Sequence, residues 1–98
     1  MPTIEVVDAP ARSRFELLVD GQVAGFADYR LLPTKIVITH TEVQPEHSGK
    51  GLAGRLVKHA LEESRDAGLR VVPLCPYVAS YIERHPEYSD LVDAPAGG

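Results

Sequence analysis

The hydrophobic period of this 98-residue chain changes near Pro45, and that change constrains the fold more than any other feature. Before Pro45, apolar and polar residues alternate over short runs, as in half-buried β-strands. After it, apolar residues recur every three or four positions, as on one face of an amphipathic helix. Because a chain of this length forms a single domain, the sequence predicts one α/β (α+β) domain over residues 1–98.

Four strands are predicted before the change of period. Asp20-Gly21 is typical of a hairpin turn, and Pro33-Thr34 separates the third strand from the fourth. Strands joined by such short connections pair antiparallel. The predicted strands are Thr3 to Val7, Arg14 to Asp20, Gln22 to Leu31 and Lys35 to Val43.

One long helix dominates the second half of the chain. We expect it to begin near Gly49 or Lys50 and to end at Ala67, because Gly68 is a typical C-terminal stop. Its buried face consists of apolar residues at helical spacing: Leu52, Leu56, Val57, Ala60 and Leu61. The remaining predicted elements are a fifth strand from Leu69 to Leu74, a short helix from Pro76 to about Arg84, and a flexible tail from Asp93 to Gly98.

Composition argues against several classes of function. The formal net charge of -4 provides no basic surface for nucleic acid. No apolar run approaches the roughly 20 residues that cross a bilayer, and the start of the chain lacks the pattern of a signal peptide. The single cysteine, Cys75, cannot form an internal disulfide, which favours a reducing compartment. We therefore expect a cytoplasmic protein that binds neither nucleic acid nor membranes, while its oligomeric state stays open.

Small residues cluster where the fourth strand meets the long helix. They allow another group to approach the backbone closely, and they are Gly49, Gly51, Ala53 and Gly54. The first turn of a helix carries unpaired N–H groups and the positive end of the helix dipole, which together suit a phosphate or pyrophosphate. A turn with a close contact between helix and sheet explains the same glycines, so the residues alone leave both interpretations open.

The segment from Glu42 to Gly54 resembles the acyl-CoA-binding motif of the GNAT superfamily, in which Gln/Arg-x-x-Gly-x-Gly/Ala cradles the pyrophosphate of coenzyme A. The aligned residues are Ser48-Gly49-Lys50-Gly51-Leu52-Ala53, with Ser48 in place of the usual Gln or Arg. The segment from Pro73 to Tyr88 is similar to very small GNAT-like proteins that carry a cysteine after the fifth strand. Together the two segments extend the resemblance over nearly the whole chain.

The resemblance implies a GNAT-like mixed sheet, mostly antiparallel, that opens between strands four and five. It implies acetyl-CoA or coenzyme A as the cofactor, with the pantetheine arm in that opening and an amine as the acceptor. The implied cofactor-binding residues are Val43, Ser48, Gly49, Lys50, Gly51, Leu52, Ala53 and Gly54. The first helices that often build the acceptor pocket of this superfamily are missing, so the acceptor stays open.

Cys75 is the first candidate for a catalytic residue. Directly before Pro76, it is placed to cap the following helix, where the helix dipole lowers the pKa of a thiol from about 8.5. A free cysteine is also commonly a small buried hydrophobic residue. The resemblance places Cys75 near the acyl thioester, where it accepts the acyl group, deprotonates an amine or lines the pocket.

His40 and Glu42 are the other catalytic candidates. Counting by twos along the fourth strand places both on the same side of the sheet as Ile36 and Ile38. An imidazole titrates near neutral pH and suits proton transfer, and the Glu42 carboxylate suits orienting or deprotonating an amine. A structural histidine and a solvated carboxylate explain the same two residues.

The remaining histidines have no predicted catalytic role. His47 is expected in a loop beside the cofactor, His59 on the exposed face of the long helix, and His85 at the end of the short helix. No two histidines have the spacing of metal ligands, so no metal is predicted.

Two functions fit these residues. The first is an N-acetyltransferase that moves the acetyl group of acetyl-CoA to an unidentified primary amine by positioning and general-base assistance. The second is an acyl-CoA-binding or sensing module with vestigial catalytic activity. Turnover of acetyl-CoA in the presence of amines distinguishes them.

Overall fold

A computed structural model describes residues 3–47 and 51–93 of the protein. Its strands are β1 Ile4–Ala9, β2 Arg14–Val19, β3 Gln22–Leu31, β4 Lys35–Val43 and β5 Arg70–Pro73. Its α-helices are α1 Leu52–Asp66 and α2 Pro76–Arg84. Within the described residues, short 3-10 helices lie at Pro10–Arg12, Pro45–His47 and Pro86–Leu91.

The strands form one five-stranded sheet in the order β1-β2-β3-β4-β5. The first three pairings are antiparallel, whereas β5 joins β4 in parallel. A parallel neighbour needs a crossover connection, which α1 supplies between β4 and β5. The mixed, mostly antiparallel sheet with a long helix after the fourth strand and a short helix after the fifth confirms the predicted fold class.

A β-bulge in β4 changes which of its side chains face the helices. Asp28 pairs with His40, but the next residue of β3 pairs with Ile38, so Thr39 is an extra residue in the register. One extra residue reverses the alternation of side chains beyond it. Thr41 therefore lies on the same face as Ile38, and the prediction that His40 and Glu42 share that face is wrong.

The apolar side of α1 covers one face of the sheet. Four of its side chains are fully buried: Leu56, Val57, Ala60 and Leu61. Each large apolar side chain buried in this way stabilises the fold by about 1.5–3 kcal/mol. This packing fixes the start of α1 relative to the end of β4. No helix in the described ranges is both long enough and apolar enough to cross a membrane.

His59 on α1 is half-buried, although the sequence predicts an exposed residue. Its ring stands edge-on to the ring of Phe15, with centroids 6.2 Å apart. Its Nε2 atom lies 3.3 Å from Oε1 of Glu63, one turn further along the helix. The difference arises because β2 presents Phe15 beside this side of α1, a tertiary contact that the helical period does not contain.

The chain after α2 packs back onto β5. Val92 forms an isolated parallel bridge with Val71, whose carbonyl accepts a hydrogen bond from the N–H of Asp93 at 2.8 Å. The carboxylate of Asp93 also pairs with Lys35 at 2.8 Å. Asp93 is therefore part of the packed fold, which corrects the predicted start of the tail. The rest of that prediction, residues 94–98, lies outside the described residues.

Candidate functional site

The sheet opens beside the second half of β4. Pairing of β4 with β5 ends at Ile38 and Pro73, where proline has no N–H to continue the ladder. The N–H of Cys75 then donates to the carbonyl of Ile38 at 2.9 Å, and the chain turns into α2. Because β4 continues to Val43 without β5 beside it, a gap separates the two strands, as the resemblance implies.

The backbone of Thr41 and Val43 faces this gap. The N–H of Gln44 donates to the carbonyl of Ala24 at 2.8 Å, which identifies this pair as hydrogen-bonded between β3 and β4. Hydrogen-bonded and non-hydrogen-bonded pairs alternate along an antiparallel ladder. Thr41 and Val43 belong to the non-bonded pairs, so their N–H and C=O groups point away from β3. They are therefore placed to pair with an extended ligand in the gap.

Cys75 lies at the start of the gap, at the N-cap position of α2. Its side chain is buried, and its thiol donates to Oγ1 of Thr41 at 3.5 Å. Its thiol makes no full capping hydrogen bond, but the N–H groups of Tyr77 and Val78 in the first turn of α2 lie close enough to the sulfur to affect its pKa. The residue also connects α2 to the far half of β4.

Opposing effects act on the pKa of Cys75. Burial raises the pKa of the thiol, which is the largest single effect. When the sulfur is a thiolate, the Thr41 hydroxyl reverses its role and donates to it, and the N–H groups of Val78, Tyr77 and Thr41 donate more weakly, all of which lowers the pKa. These donors together outweigh burial and hold the pKa of Cys75 below its usual value, so a larger fraction is thiolate at neutral pH.

The start of α1 adjoins the helix that carries Cys75. Gly51 is the N-cap of α1 with φ of 74°, a left-handed conformation that other residues rarely adopt. A Cβ added at Gly54 would lie 3.6 Å from Cε2 of Tyr81 and 3.8 Å from the hydroxyl of Tyr77. The first turn of α1, the first turns of α2 and the free half of β4 therefore meet around the gap.

The predicted cofactor-binding residues differ in placement. Gly51 is exposed, and Ala53 and Gly54 are half-buried in the first turn of α1. The side chains of Leu52 and Val43 pack in or against the hydrophobic core, so only their backbone groups are available to a ligand. Three further predictions lie outside the described residues: Ser48, Gly49 and Lys50.

His40 and Glu42 lie together on the face of the sheet opposite α1, which we call the open face. Their Nε2 and Oε1 atoms are 3.5 Å apart, and both side chains are more than half exposed. The structure brings these two predicted residues to each other but not to the thiol of Cys75. Thr41, the side chain that does reach the thiol, was missed because only knowledge of the bulge places it there.

The other histidines are structural in their contacts. His85 is the C-cap of α2, as predicted, and its Nδ1 donates to the carbonyl of Tyr81 at 2.9 Å. His47 ends a 3-10 helix, and its N–H donates to the carbonyl of Gln44 at 2.9 Å. Among residues 3–47 and 51–93, no group of three or more His, Cys, Asp and Glu side chains is arranged to hold a metal ion.

A mixed sheet that opens between its fourth and fifth strands, beside the N-terminus of the intervening helix, defines a GNAT-like fold. A family model described as GCN5-related N-acetyl-transferase matches residues 14–91. The protein therefore belongs to the GCN5-related N-acetyltransferase family. The matched range includes the gap, the start of α1 and Cys75.

Individual relatives agree with this assignment. Streptothricin acetyltransferase from Streptomyces lavendulae is 36% identical over 63 residues, which are 62% of this chain and 33% of that protein. The chain thus spans about a third of the length of this curated relative.

Two solved structures share the fold. A GCN5-like protein from Staphylococcus aureus, studied by NMR, matches with a TM-score of 0.71 and 23% identity over 97% of this chain and 93% of that chain. Ribosomal-protein-alanine N-acetyltransferase from Brucella melitensis biovar Abortus 2308 matches with a TM-score of 0.58 and 22% identity, over 84% and 64% of the two chains.

Proposed function

We propose that this protein is an N-acetyltransferase that binds acetyl-CoA and transfers its acetyl group to a primary amine. The observation that carries the proposal is the gap beside β4, which Cys75 borders and which the backbone of Thr41 and Val43 faces. Membership of the GCN5-related N-acetyltransferase family supports the same reaction.

Backbone groups supply most of the proposed cofactor contacts. Thr41 and Val43 pair with the amides of the pantetheine arm, as a strand pairs with an added peptide. The unpaired N–H groups of the first turn of α1, at Leu52, Ala53 and Gly54, bind the pyrophosphate with the help of the helix dipole. Gly51 leaves room for the phosphate oxygens, since it has no side chain.

The loop before α1 completes the proposed cradle. Lys50 adds a positive charge to the backbone donors, while Ser48 and Gly49 continue the motif that the sequence shares with the GNAT superfamily. This assignment rests on the sequence, because these three residues lie outside the described ranges.

Cys75 is the proposed base. Acetyl-CoA supplies an acetyl thioester, and the amine nitrogen forms a bond to its carbonyl carbon while the bond from that carbon to sulfur breaks. The thiolate of Cys75 takes the proton that the amine loses and passes it to the departing sulfur of coenzyme A. The Thr41 hydroxyl keeps Cys75 available for this role by favouring the thiolate. His40 and Glu42 orient the amine from the open face.

The proposal is tested by measuring the release of coenzyme A from acetyl-CoA with and without primary amines, and by detecting the acetylated amine by mass spectrometry. We expect release that depends on the amine and no acetyl group on the protein when the amine is omitted. An acetyl group on Cys75, lost in Cys75→Ala, would replace direct attack with a covalent relay. Binding of acetyl-CoA without any amine-dependent release would leave a binding module and refute the proposed activity.

A further inference from the structure

A second concave site lies on the open face of the sheet, beside the end of β4. Its volume is about 230 Å³, and the side chains that line it include Arg14, Phe26, Glu42 and Gln44. Gly25 also lines it and contributes main chain only. The site is therefore a shallow cup with charged walls, separate from the gap but bordered by the same strand.

Arg14 forms the positive wall of this cup. Its guanidinium bonds Oε2 of the buried Glu16 at 2.8 and 2.9 Å, and Arg12 bonds the same oxygen at 3.1 Å. Hydrogen bonding from Arg14, opposed by burial, holds the pKa of Glu16 below its usual value, so Glu16 is a carboxylate. Two guanidinium groups on one carboxylate leave a net positive charge, and a guanidinium has five N–H donors, more than Glu16 engages.

Glu42 forms the negative wall, and Phe26 lies between the two charges. Cζ of Arg14 is 4.8 Å from the centroid of the Phe26 ring. The ring of His40 is 5.9 Å from the same centroid, and its Nε2 contacts Glu42 at 3.5 Å. The cup thus offers a cation in contact with the Phe26 ring and an anion on the residue that pairs with Phe26 in the neighbouring strand.

We propose that this cup binds the acceptor of the acetyl transfer, and that the acceptor is a small amino acid. Its amino group pairs with Glu42, and its carboxylate pairs with Arg14. Phe26 contacts the hydrocarbon between them. Glu42 directly follows Thr41 on the strand that borders the gap, so an amine held there would reach the proposed thioester through the gap from the open face. This inference rests on the proposed function.

The charge pattern disfavours other amines. A polyamine would place a second positive charge against Arg14, and like charges repel in such a site. A simple alkylamine would leave Arg14 without a ligand partner, so it would gain only the contact with Glu42. An amino acid satisfies both walls, and a charge-assisted hydrogen bond to Arg14 distinguishes it by about 10-fold or more in affinity.

The preference for an amino acid is tested by measuring ligand binding to the wild-type protein in the absence of acetyl-CoA. Backbone amide chemical shifts are followed by NMR while ω-amino acids are titrated in, beginning with glycine and increasing in length. Propylamine, which carries only the amine, and propionate, which carries only the carboxylate, are titrated in parallel as the two halves of the ligand. We expect at least one amino acid to shift Phe26, Glu42 and Gln44 and to bind about 10-fold or more tightly than either half. Equal binding of propylamine, or no shift with any amino acid, would overturn the inference. So would tighter binding of a dipeptide amide, which would indicate a polypeptide acceptor.

Substitutions at Arg14 and Arg12 test whether Arg14 contacts the carboxylate of the amino acid. Arg14→Gln should reduce the affinity for the preferred amino acid to that for propylamine, while propylamine binds as before. Arg12→Gln is the matched control, since Arg12 touches the same Glu16 but does not line the cup, and it should keep the preference. An unchanged preference in Arg14→Gln would overturn the inference.

If Arg14→Gln fails to fold because Glu16 loses a partner, Glu42→Gln provides a second test of ligand binding in the cup. The Glu42 side chain is 63% exposed, so its replacement should not lower the melting temperature. It should weaken binding of both the amino acid and propylamine, and unchanged binding would overturn the inference. Amino-acid binding with no acetyl transfer would refute the proposed function alone. Transfer at equal rates to alkylamines would refute this inference alone.

Discussion

The sulfur of Cys75 lies 3.5 Å from the hydroxyl of Thr41, although the two residues are 34 positions apart in the chain. The contact depends on the bulge at Thr39, which turns Thr41 toward the helices. Without that extra residue, His40 would occupy this face in its place. The bulge therefore links the shape of the sheet to the pKa of the proposed base.

Thr41→Val retains the size of the side chain and removes its hydroxyl. We expect the pKa of Cys75 to rise, because the thiolate loses its strongest hydrogen-bond donor. The acetyl transfer rate should increase with pH through the pKa of Cys75 and then level off, and the variant should shift this increase to higher pH. At neutral pH its rate should be about 3- to 10-fold lower.

The thiolate absorbance in the ultraviolet, with Cys75→Ser as the blank, measures the pKa directly. Thr39→Val is the matched control, since the Thr39 hydroxyl donates to the carbonyl of Asp28 at 3.4 Å and does not contact the thiol. An unchanged pKa in Thr41→Val would show that the hydroxyl is not its cause.

Acetyl-CoA should stabilise the folded protein. A ligand at about 100 times its dissociation constant adds roughly 2.7 kcal/mol to the free energy of unfolding. In a domain of this size that increase raises the melting temperature by about 10 to 20 °C. Thermal unfolding with millimolar acetyl-CoA, and with adenosine as the control, measures the effect. No increase at that concentration would exclude the cofactor.

Gly51 tests the position of the pyrophosphate. Gly51→Asp adds a carboxylate at the N-cap of α1, where it would repel and crowd the phosphates. Gly51→Asn is the matched control, because asparagine has nearly the same shape, tolerates positive φ and carries no charge. We expect the Asp variant to bind coenzyme A at least about 10-fold more weakly than the Asn variant by calorimetry. Equal affinities would place the pyrophosphate elsewhere.

Two glycines should respond in opposite directions to alanine. At Gly25 the new Cβ would lie 2.7 Å from the Glu42 carbonyl oxygen, which is main chain and cannot move without disturbing β3 and β4. Gly25→Ala should therefore lower the free energy of unfolding by about 1–3 kcal/mol. Gly54→Ala, within α1, meets only ordinary contacts with Tyr81 and Tyr77 of α2 and should raise it by about 0.5–1 kcal/mol. Urea denaturation measures both, and a Gly25→Ala protein as stable as wild type would contradict the packing described.

The sequence predicts elements well where local signals mark both of their ends. Strand β3 has its predicted bounds because Asp20-Gly21 precedes it and Pro33-Thr34 follows it. Helix α2 likewise runs from Pro76 to Arg84, as predicted. Helix α1 begins at Leu52, later than predicted, because Gly51 adopts the left-handed conformation and ends the loop there. Local turn chemistry was therefore sufficient for most of the fold.

The faces of β4 could not be predicted in the same way. The bulge at Thr39 exists only in the pairing of β4 with β3, and neither strand alone contains a pattern that indicates it. Side-chain alternation therefore gave the wrong face for His40 and Glu42 and gave no role to Thr41. The packing of Asp93 against Lys35 and Val71 was missed for a similar reason, since it joins distant parts of the chain.

The amine-dependent rate of coenzyme A release in Cys75→Ser, compared with wild type, tests the central claim most directly. Serine keeps nearly the same size but cannot form a thiolate, so the variant should bind acetyl-CoA as wild type does. The account predicts a rate about 100-fold or more below wild type, the usual contribution of a general base. A full rate in both Cys75→Ser and Cys75→Ala would contradict the account and leave Cys75 as a packing residue.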